Sequence, residues 1–380
     1  MPSENARSLL KPGHHYLSGN EAAAEGALAS GCDFYAGYPI TPSTEIMERM
    51  AVRLPELGRV FVQMEDEIAS VCAAIGAAWA GARAMTATSG PGFSLMMEGL
   101  GYAVFTETPM VIMDIQRAGP CTGQATRVGA GEIMQAKWGS HGDYEIIAMS
   151  PWSVQEMYDM AVEAFNLAER FRVPVILLGE EAVGHLRERI TISSSVAMVR
   201  RDRDATRPPF GTEEPDGVPP MPAFGDGASL LVTGSTHDEW GIRRTEDGEV
   251  HRQLVTRLSK KILDHREEIC RTERYFMEDA TVALAAYGFT ARSCLHAVKG
   301  LRHEGIPVGM IRLQTLWPFP QQEVAEVSRR VERILVPEMN LGQVEGEVRK
   351  AARCEVEGYH QVDGEIIHPR ALERWVRGLI

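Results

Sequence analysis

The sequence contains no C-x-x-C pair; its six cysteines (Cys32, Cys72, Cys121, Cys270, Cys294 and Cys354) are scattered along 380 residues. That spacing excludes the usual local ligand set of a zinc site or an iron–sulfur cluster. Apolar runs stay well short of the roughly 18 residues that a membrane-spanning helix needs. The first twenty residues, "MPSENARSLLKPGHHYLSGN", lack a positive stretch followed by an apolar core, so no secretory leader is expected. Without an export signal, the cysteines are expected as reduced thiols in a cytoplasm. Positive charge is scarce: 39 Lys and Arg stand against 52 Asp and Glu, a formal net charge of −13. Nucleic acid and anionic membrane surfaces both need clustered cations, so neither is an expected partner. What remains is ordinary for a globular protein, 44% hydrophobic and 24% charged, with length enough for two cores.

Strand-like and helix-like segments alternate through the first half. "GNEAAAEGALASG" reads as a helix, with Asn20 at its N-cap and Gly31 as its stop. "CDFYAGYPI", "GRVFVQM", "ARAMTATS", "PMVIMDIQ" and "VPVILLG" read as strands, with helices between them. This alternation predicts an α/β fold around a mainly parallel sheet, over residues 16–190. Residues 191–277 are rich in Pro, Gly, Asp and Arg and read as a linker carrying one charged helix, "VHRQLVTRLSKKILDHREEI". A second, smaller α/β unit is expected over 278–380, opening on the strand "ATVALAAYG".

Three stretches fall at predicted strand ends, where open α/β sheets bind ligands. In Tyr38-Pro39-Ile40-Thr41-Pro42-Ser43, the two prolines stiffen the backbone, and Thr41 or Ser43 is placed to cap the next helix or to present groups to an anion. Glu65-Asp66-Glu67 opens a helix of small apolar residues; one or two acids satisfy the helix dipole, and Glu67 is carried toward the interior. In "DIQRAGPCTG", Arg117 follows an apolar strand and is suited to a carboxylate. Taken singly, each has a plain structural reading: a helix cap, a dipole acid, a solvated loop arginine. Their shared sheet edge raises the functional one. "GSHGD" offers His141 and Asp143, and "GSTHDEWG" offers His237, Asp238 and Glu239, without a third ligand for a metal. "FGDGA" lacks the downstream asparagines of a diphosphate–magnesium motif.

Nine motifs occur in one order: "GNEAAAEGAL", "YPITPS", "EDEIAS", "TSGPGFSLMMEG", "QRAGPCTG", "WGSHGD", "TGSTHDEWG", "LWPFP" and "PEMNLGQ". Together they resemble the alpha subunit of 2-oxoacid:ferredoxin oxidoreductases, most of all the 2-oxoglutarate type. The resemblance implies a pyrimidine-type thiamine-diphosphate domain followed by a transketolase C-terminal-like domain. It implies oxidative decarboxylation of a 2-oxoacid with coenzyme A as co-substrate and ferredoxin as electron acceptor, or the reverse. Glu67 matches the glutamate that bonds the aminopyrimidine N1′ and makes the cofactor's own amino group a base. Thr41 matches a residue touching cofactor and substrate, Arg117 the holder of the substrate carboxylate; Tyr38, Pro39 and Ile40 would line the cofactor. Cys121 stands where serine is expected.

The chain has neither a complete diphosphate–magnesium motif nor cluster-ligand cysteines. It can supply only half of a thiamine site, so a beta subunit carrying Mg2+ and a 4Fe–4S cluster is expected, with a gamma subunit besides. Pyruvate, branched-chain or aryl oxoacids remain alternative substrates, and a non-catalytic scaffold an alternative role.

Overall fold

The computed structural model describes residues 9–380. The leader reading rests partly on residues 1–8, which lie outside the described residues. In the first part of the chain the strands are β1 (Gly13–Ser18), β2 (Phe34–Gly37), β3 (Val60–Gln63), β4 (Ala84–Thr88), β5 (Met110–Gln116), β6 (Ile147–Met149), β7 (Pro174–Glu180) and β8 (Arg187–Ile192). The second part adds β9 (Thr272–Tyr275), β10 (Val282–Ala286), β11 (Val308–Leu313), β12 (Thr315–Trp317), β13 (Arg333–Glu338) and β14 (Glu355–His360). A seven-stranded sheet runs β12-β6-β7-β5-β4-β2-β3, and a five-stranded sheet runs β14-β13-β10-β11-β9. Pairing is parallel except at one edge of each, where β12 meets β6 and β9 meets β11 antiparallel. β1 and β8 form a separate antiparallel ribbon. Among the described residues no helix is long and apolar enough to cross a membrane.

The expected alternation is present, with shifted details. Ser18, not Asn20, caps the first helix (Gly19–Ala29): its hydroxyl accepts the Glu21 N–H while Glu21 reaches back to the Ser18 N–H. The Ala-rich face of that helix lies against the helix Val154–Phe171, so close that a Cβ on Gly26 would collide with the Tyr158 carbonyl. Small residues here serve close packing. "GFSLMMEGLGYAVF" is two helices, Pro91–Leu95 and Met97–Phe105, not one.

Residues 191–277 are fastened to the first sheet's layer. The buried Arg172 guanidinium donates to the carbonyls of Pro209, Pro219 and Pro220 at 2.6, 3.2 and 2.8 Å. From the helix Gly248–Leu263, Arg257 and Lys261 reach the buried Glu107 carboxylate at 2.6–2.8 Å. Burial alone would raise the Glu107 carboxyl, but the Arg257 and Lys261 charges outweigh it and hold it below the ordinary range. Phe210 and Met221 add a small apolar anchor against Trp79 and the core, and the rest of the stretch reads as polar and irregular because its partners are charges and carbonyls. It also supplies β9 to the second sheet.

The two sheets meet where β7 ends. Glu180 is fully buried, its Oε2 accepts the Phe289 N–H at 3.2 Å, and a Cβ on Gly288 would collide with its Oε1. Burial pushes this carboxyl up to about 8, with a smaller push from Glu132.

Two outcomes follow. Glu107→Gln should cost about 3–5 kcal/mol, because Lys261 and Arg172 keep their burial and lose their anion; an unchanged melting temperature would show the network to be inert. Glu180 gains a proton on folding at neutral pH, so its contribution is full below the ordinary carboxylate range and drains as pH rises toward about 8. The wild-type melting temperature should therefore fall between pH 5 and pH 8 relative to Glu180→Gln, in parallel thermal scans.

Candidate active site

The chain leaves β2, crosses to β3 on one side, and returns to β4 on the other. The loops after β2 and β4 consequently diverge, and the crevice between them at the carboxyl ends of the strands is where such sheets take ligands. Thr41 follows β2, Glu67 follows β3, Gly90 follows β4 and Arg117 follows β5. All lie on that one edge.

The β2 turn is exposed at Tyr38, Pro39 and Thr41 and half-buried at Ile40. Ser43 occupies the N-cap position of the next helix but makes no capping bond; its hydroxyl donates backward to the Ile40 carbonyl at 2.9 Å. The expected cap is therefore absent, and the turn is tied from elsewhere. Asn20 donates to the Pro42 carbonyl at 2.8 Å and to Glu45 at 2.9 Å. Arg117 Nη1 donates to the Thr41 carbonyl at 2.7 Å.

At β3 the three acids divide the work. Asp66 is the cap, accepting the Ala69 N–H at 2.7 Å, and Glu67 is the first helical residue. Glu67 is 4% exposed, receives no hydrogen bond or ion pair from another side chain among the described residues, and is raised above the ordinary carboxylate range by burial and by Asp66. Its Oε1 and the Thr88 hydroxyl crowd Gly92 so closely that a Cβ there would strike both. The Thr88 and Ser89 hydroxyls are buried without hydrogen-bond partners among the described residues. Unpaired buried polar groups carry a cost that a polar ligand would relieve.

Arg117, 5% exposed, lines a cavity of about 390 Å3. Gly90, Ser94, Cys121, Glu132 and Gln135 form one side; Met339, Asn340, Leu341 and Gln343 of the second unit form the other. The structure thus brings Thr41 and Arg117 into direct contact, and the Thr88–Gly92 turn links Arg117 to Glu67.

The other motif residues lie apart from this constellation. His141 is exposed, 3.8 Å from Glu98, and with Asp143 borders a separate cavity of about 360 Å3 that contains none of Thr41, Glu67 or Arg117. His237 is buried between Phe105 and Phe210 with Nδ1 on the Ser235 carbonyl at 2.8 Å. Asp238 closes its loop by accepting the Trp240 and Ile242 N–H groups. Asp226 of "FGDGA" pairs with Arg203 on the surface. Among the described residues no three His, Cys, Asp or Glu side chains gather as a metal site.

Three carboxyls went unread in the sequence: Asp114, Glu132 and Glu180, all buried beside this edge. The signal was present, because Asp114 interrupts the otherwise apolar "MVIMDI" of a fully buried strand. Isolated polar letters, however, do not say what they face.

A family model described as "pyruvate flavodoxin/ferredoxin oxidoreductase, thiamine diP-bdg" matches residues 25–257, and "pyruvate:ferredoxin oxidoreductase core domain II" matches residues 280–372. The 2-oxoglutarate synthase subunit KorA of Methanothermobacter thermautotrophicus is 52% identical over 364 residues, 94% of this chain and 96% of that protein. The ketoisovalerate oxidoreductase subunit VorB of Methanothermobacter marburgensis is 35% identical, over 95% of this chain and 96% of its own length. The solved 2-oxoglutarate:ferredoxin oxidoreductase from Magnetococcus marinus, with 2-oxoglutarate, coenzyme A and succinyl-CoA bound, superposes with a TM-score of 0.92 at 30% identity. It matches 97% of this chain, which spans 65% of that longer one. The α/β layers, the thiamine-type sheet edge and these relatives together place the chain in the pyruvate flavodoxin/ferredoxin oxidoreductase family.

Proposed function

We propose that this chain is the catalytic alpha subunit of a coenzyme A-dependent 2-oxoglutarate:ferredoxin oxidoreductase, interconverting 2-oxoglutarate and succinyl-CoA with carbon dioxide and reduced ferredoxin. The observation that carries the reading is Glu67, a buried carboxyl with no cation to satisfy it, on the same sheet edge as the buried Arg117. The substrate choice leans on the greater identity to the KorA relative than to the VorB relative, 52% against 35%. We assign the thiamine-binding unit to residues 16–190, the connecting segment to 191–277 and the transketolase C-terminal-like unit to 278–380.

Glu67, Thr88 and Ser89 fit a polar ring: one buried acid and two unsatisfied hydroxyls at a glycine-lined turn. Thiamine diphosphate, when bound, supplies the carbanion-stabilising chemistry by which a 2-oxoacid loses carbon dioxide. Glu67 would hold a proton between its carboxyl and the aminopyrimidine N1′, a task suited to an acid already raised above its ordinary range by burial. Tyr38, Pro39, Ile40 and Thr41 form the wall on the β2 side. Arg117 orients the oxoacid carboxylate, and its bond to the Thr41 carbonyl keeps the guanidinium at the mouth of the crevice. The cavity walls exclude water around that cation, which strengthens its pull on a carboxylate.

With no metal-ligating cluster among the described residues, this reading assigns Mg2+ and a 4Fe–4S cluster to a beta subunit, with a gamma subunit and ferredoxin completing the electron path in the cytoplasm.

In the reconstituted complex, Glu67→Ala should lower kcat by roughly 10²–10⁴-fold while subunits still co-purify. Turnover near the wild-type rate would remove Glu67 from the chemistry. Arg117→Ala should raise the apparent KM for 2-oxoglutarate by roughly 10–100-fold, the worth of a hydrogen-bonded charge pair. An unchanged KM would remove Arg117 from the substrate site.

A further inference from the structure

Arg117 is not alone in its cavity. A Cβ on Gly90 would stand 3.5 Å from Arg117 Nε and 3.6 Å from Glu132 Oε1, so the cation and this carboxyl flank one point. Arg117 Nε is buried with no hydrogen-bond partner among the described residues, and the Asp114 carboxyl lies fully buried three residues earlier, on β5, facing the Gly90 N–H. Glu132 is held in place by its backbone: its N–H donates to Gln116 Oε1 at 3.2 Å, and its Oε2 accepts the Gly131 N–H at 3.2 Å. The second unit clamps the same segment. Asn340 Nδ2 donates to the Ala130 carbonyl at 2.7 Å; Gln343 Nε2 donates to the Gly131 carbonyl at 2.8 Å and its Oε1 accepts the Met134 N–H at 2.9 Å.

We propose that Glu132 is the positioning residue of the Arg117 subsite: it balances the guanidinium while the cavity is empty and takes up one proton from solvent when an oxoacid carboxylate arrives beside that cation. The proposal rests on the assignment of Arg117 to the substrate.

The charges facing Glu132 leave few alternatives. On β5 stands Asp114, after it Arg117, at the end of β7 Glu180; the second unit presents the neutral Asn340 and Gln343, with the Tyr287 hydroxyl behind Asn340 bonded to Glu338. Lys137, on the helix that follows Glu132, is turned away to the Tyr144 carbonyl and Glu145. Asp114 and Glu132 thus both face Arg117, with Glu180 a third buried acid beside Glu132, and a dry interior does not hold three anions near one positive charge. Burial, with Glu132 as neighbour, raises Asp114 far out of the ordinary range, and burial pushes Glu180 up to about 8. Both are pushed toward the neutral form. Burial pushes Glu132 up to about 7, with Arg117 opposing, so this carboxyl is poised to change charge near neutral pH. An incoming carboxylate adds a second anion beside one cation. Protonating Glu132 is the least costly relief, because its burial already favours the neutral form.

The test is the pH dependence of KM and kcat for 2-oxoglutarate, from pH 6 to 8.5, in the reconstituted complex. The competing anion grows as pH rises, so the wild-type KM should be level below about pH 7 and climb toward tenfold per unit above it, with no matching change in kcat. Glu132→Gln, a neutral isostere, should show a level KM across the range. Glu132→Asp should restore a slope. A level wild-type KM overturns the proposal without any variant, and a slope that persists in Glu132→Gln overturns it as well. Should Arg117→Ala leave KM unchanged, the substrate assignment itself falls; an Arg117 effect with no Glu132 dependence removes only the positioning role.

Discussion

The bond from Arg117 to the Thr41 carbonyl is the constraint on which the site depends. It joins the loop after β5 to the turn after β2 across the intervening strand β4. A guanidinium that is 5% exposed needs a fixed acceptor, and the chain provides the Thr41 backbone carbonyl, with the Glu132 carboxyl near by across Gly90 but not bonded to it. Because the Thr41 carbonyl belongs to a turn braced by Pro42 and by Asn20, the cation does not depend on a mobile side chain for its position.

The second unit is part of this arrangement. Its strand β12 extends the first sheet, and its Asn340–Gln343 turn grips residues 130–134, the wall that carries Glu132. The turn is itself fixed by Glu338, whose carboxylate accepts the Tyr287 hydroxyl and the N–H groups of Val344 and Glu345 at 2.8–2.9 Å. The cavity beside Arg117 is accordingly a product of both halves. The polar seam between them, with Glu180 against the backbone of Gly288–Phe289, allows close approach because glycine leaves room for a carboxyl.

Much of this could be read along the chain. Apolar runs bounded by Gly and Pro located the inner strands, since a parallel sheet buried on both faces needs continuous apolar segments. Thr41, Glu67 and Arg117 stood out because each follows such a run. Capping was less legible: Ser18 rather than Asn20, and a Ser43 that bonds backward, because short polar side chains choose among neighbouring backbone groups within a single turn. The joins of β9 and β12 to distant sheets were also unreadable, since a three- or four-residue strand carries almost no period.

By itself the sequence determined the α/β class, the alternation of the inner strands with helices, the three residues that follow those strands and the family they belong to. These follow from local periodicity and from ordered motifs. Only the tertiary structure decided that Asp114 and Glu132 crowd one cation with Glu180 beside them, that Glu67 lies without a counter-charge among the described residues, and that His237 is packed between aromatic rings. Burial and electrostatic environment are sums over residues remote in sequence, and a carboxyl acquires its charge state from those neighbours rather than from its place in the chain.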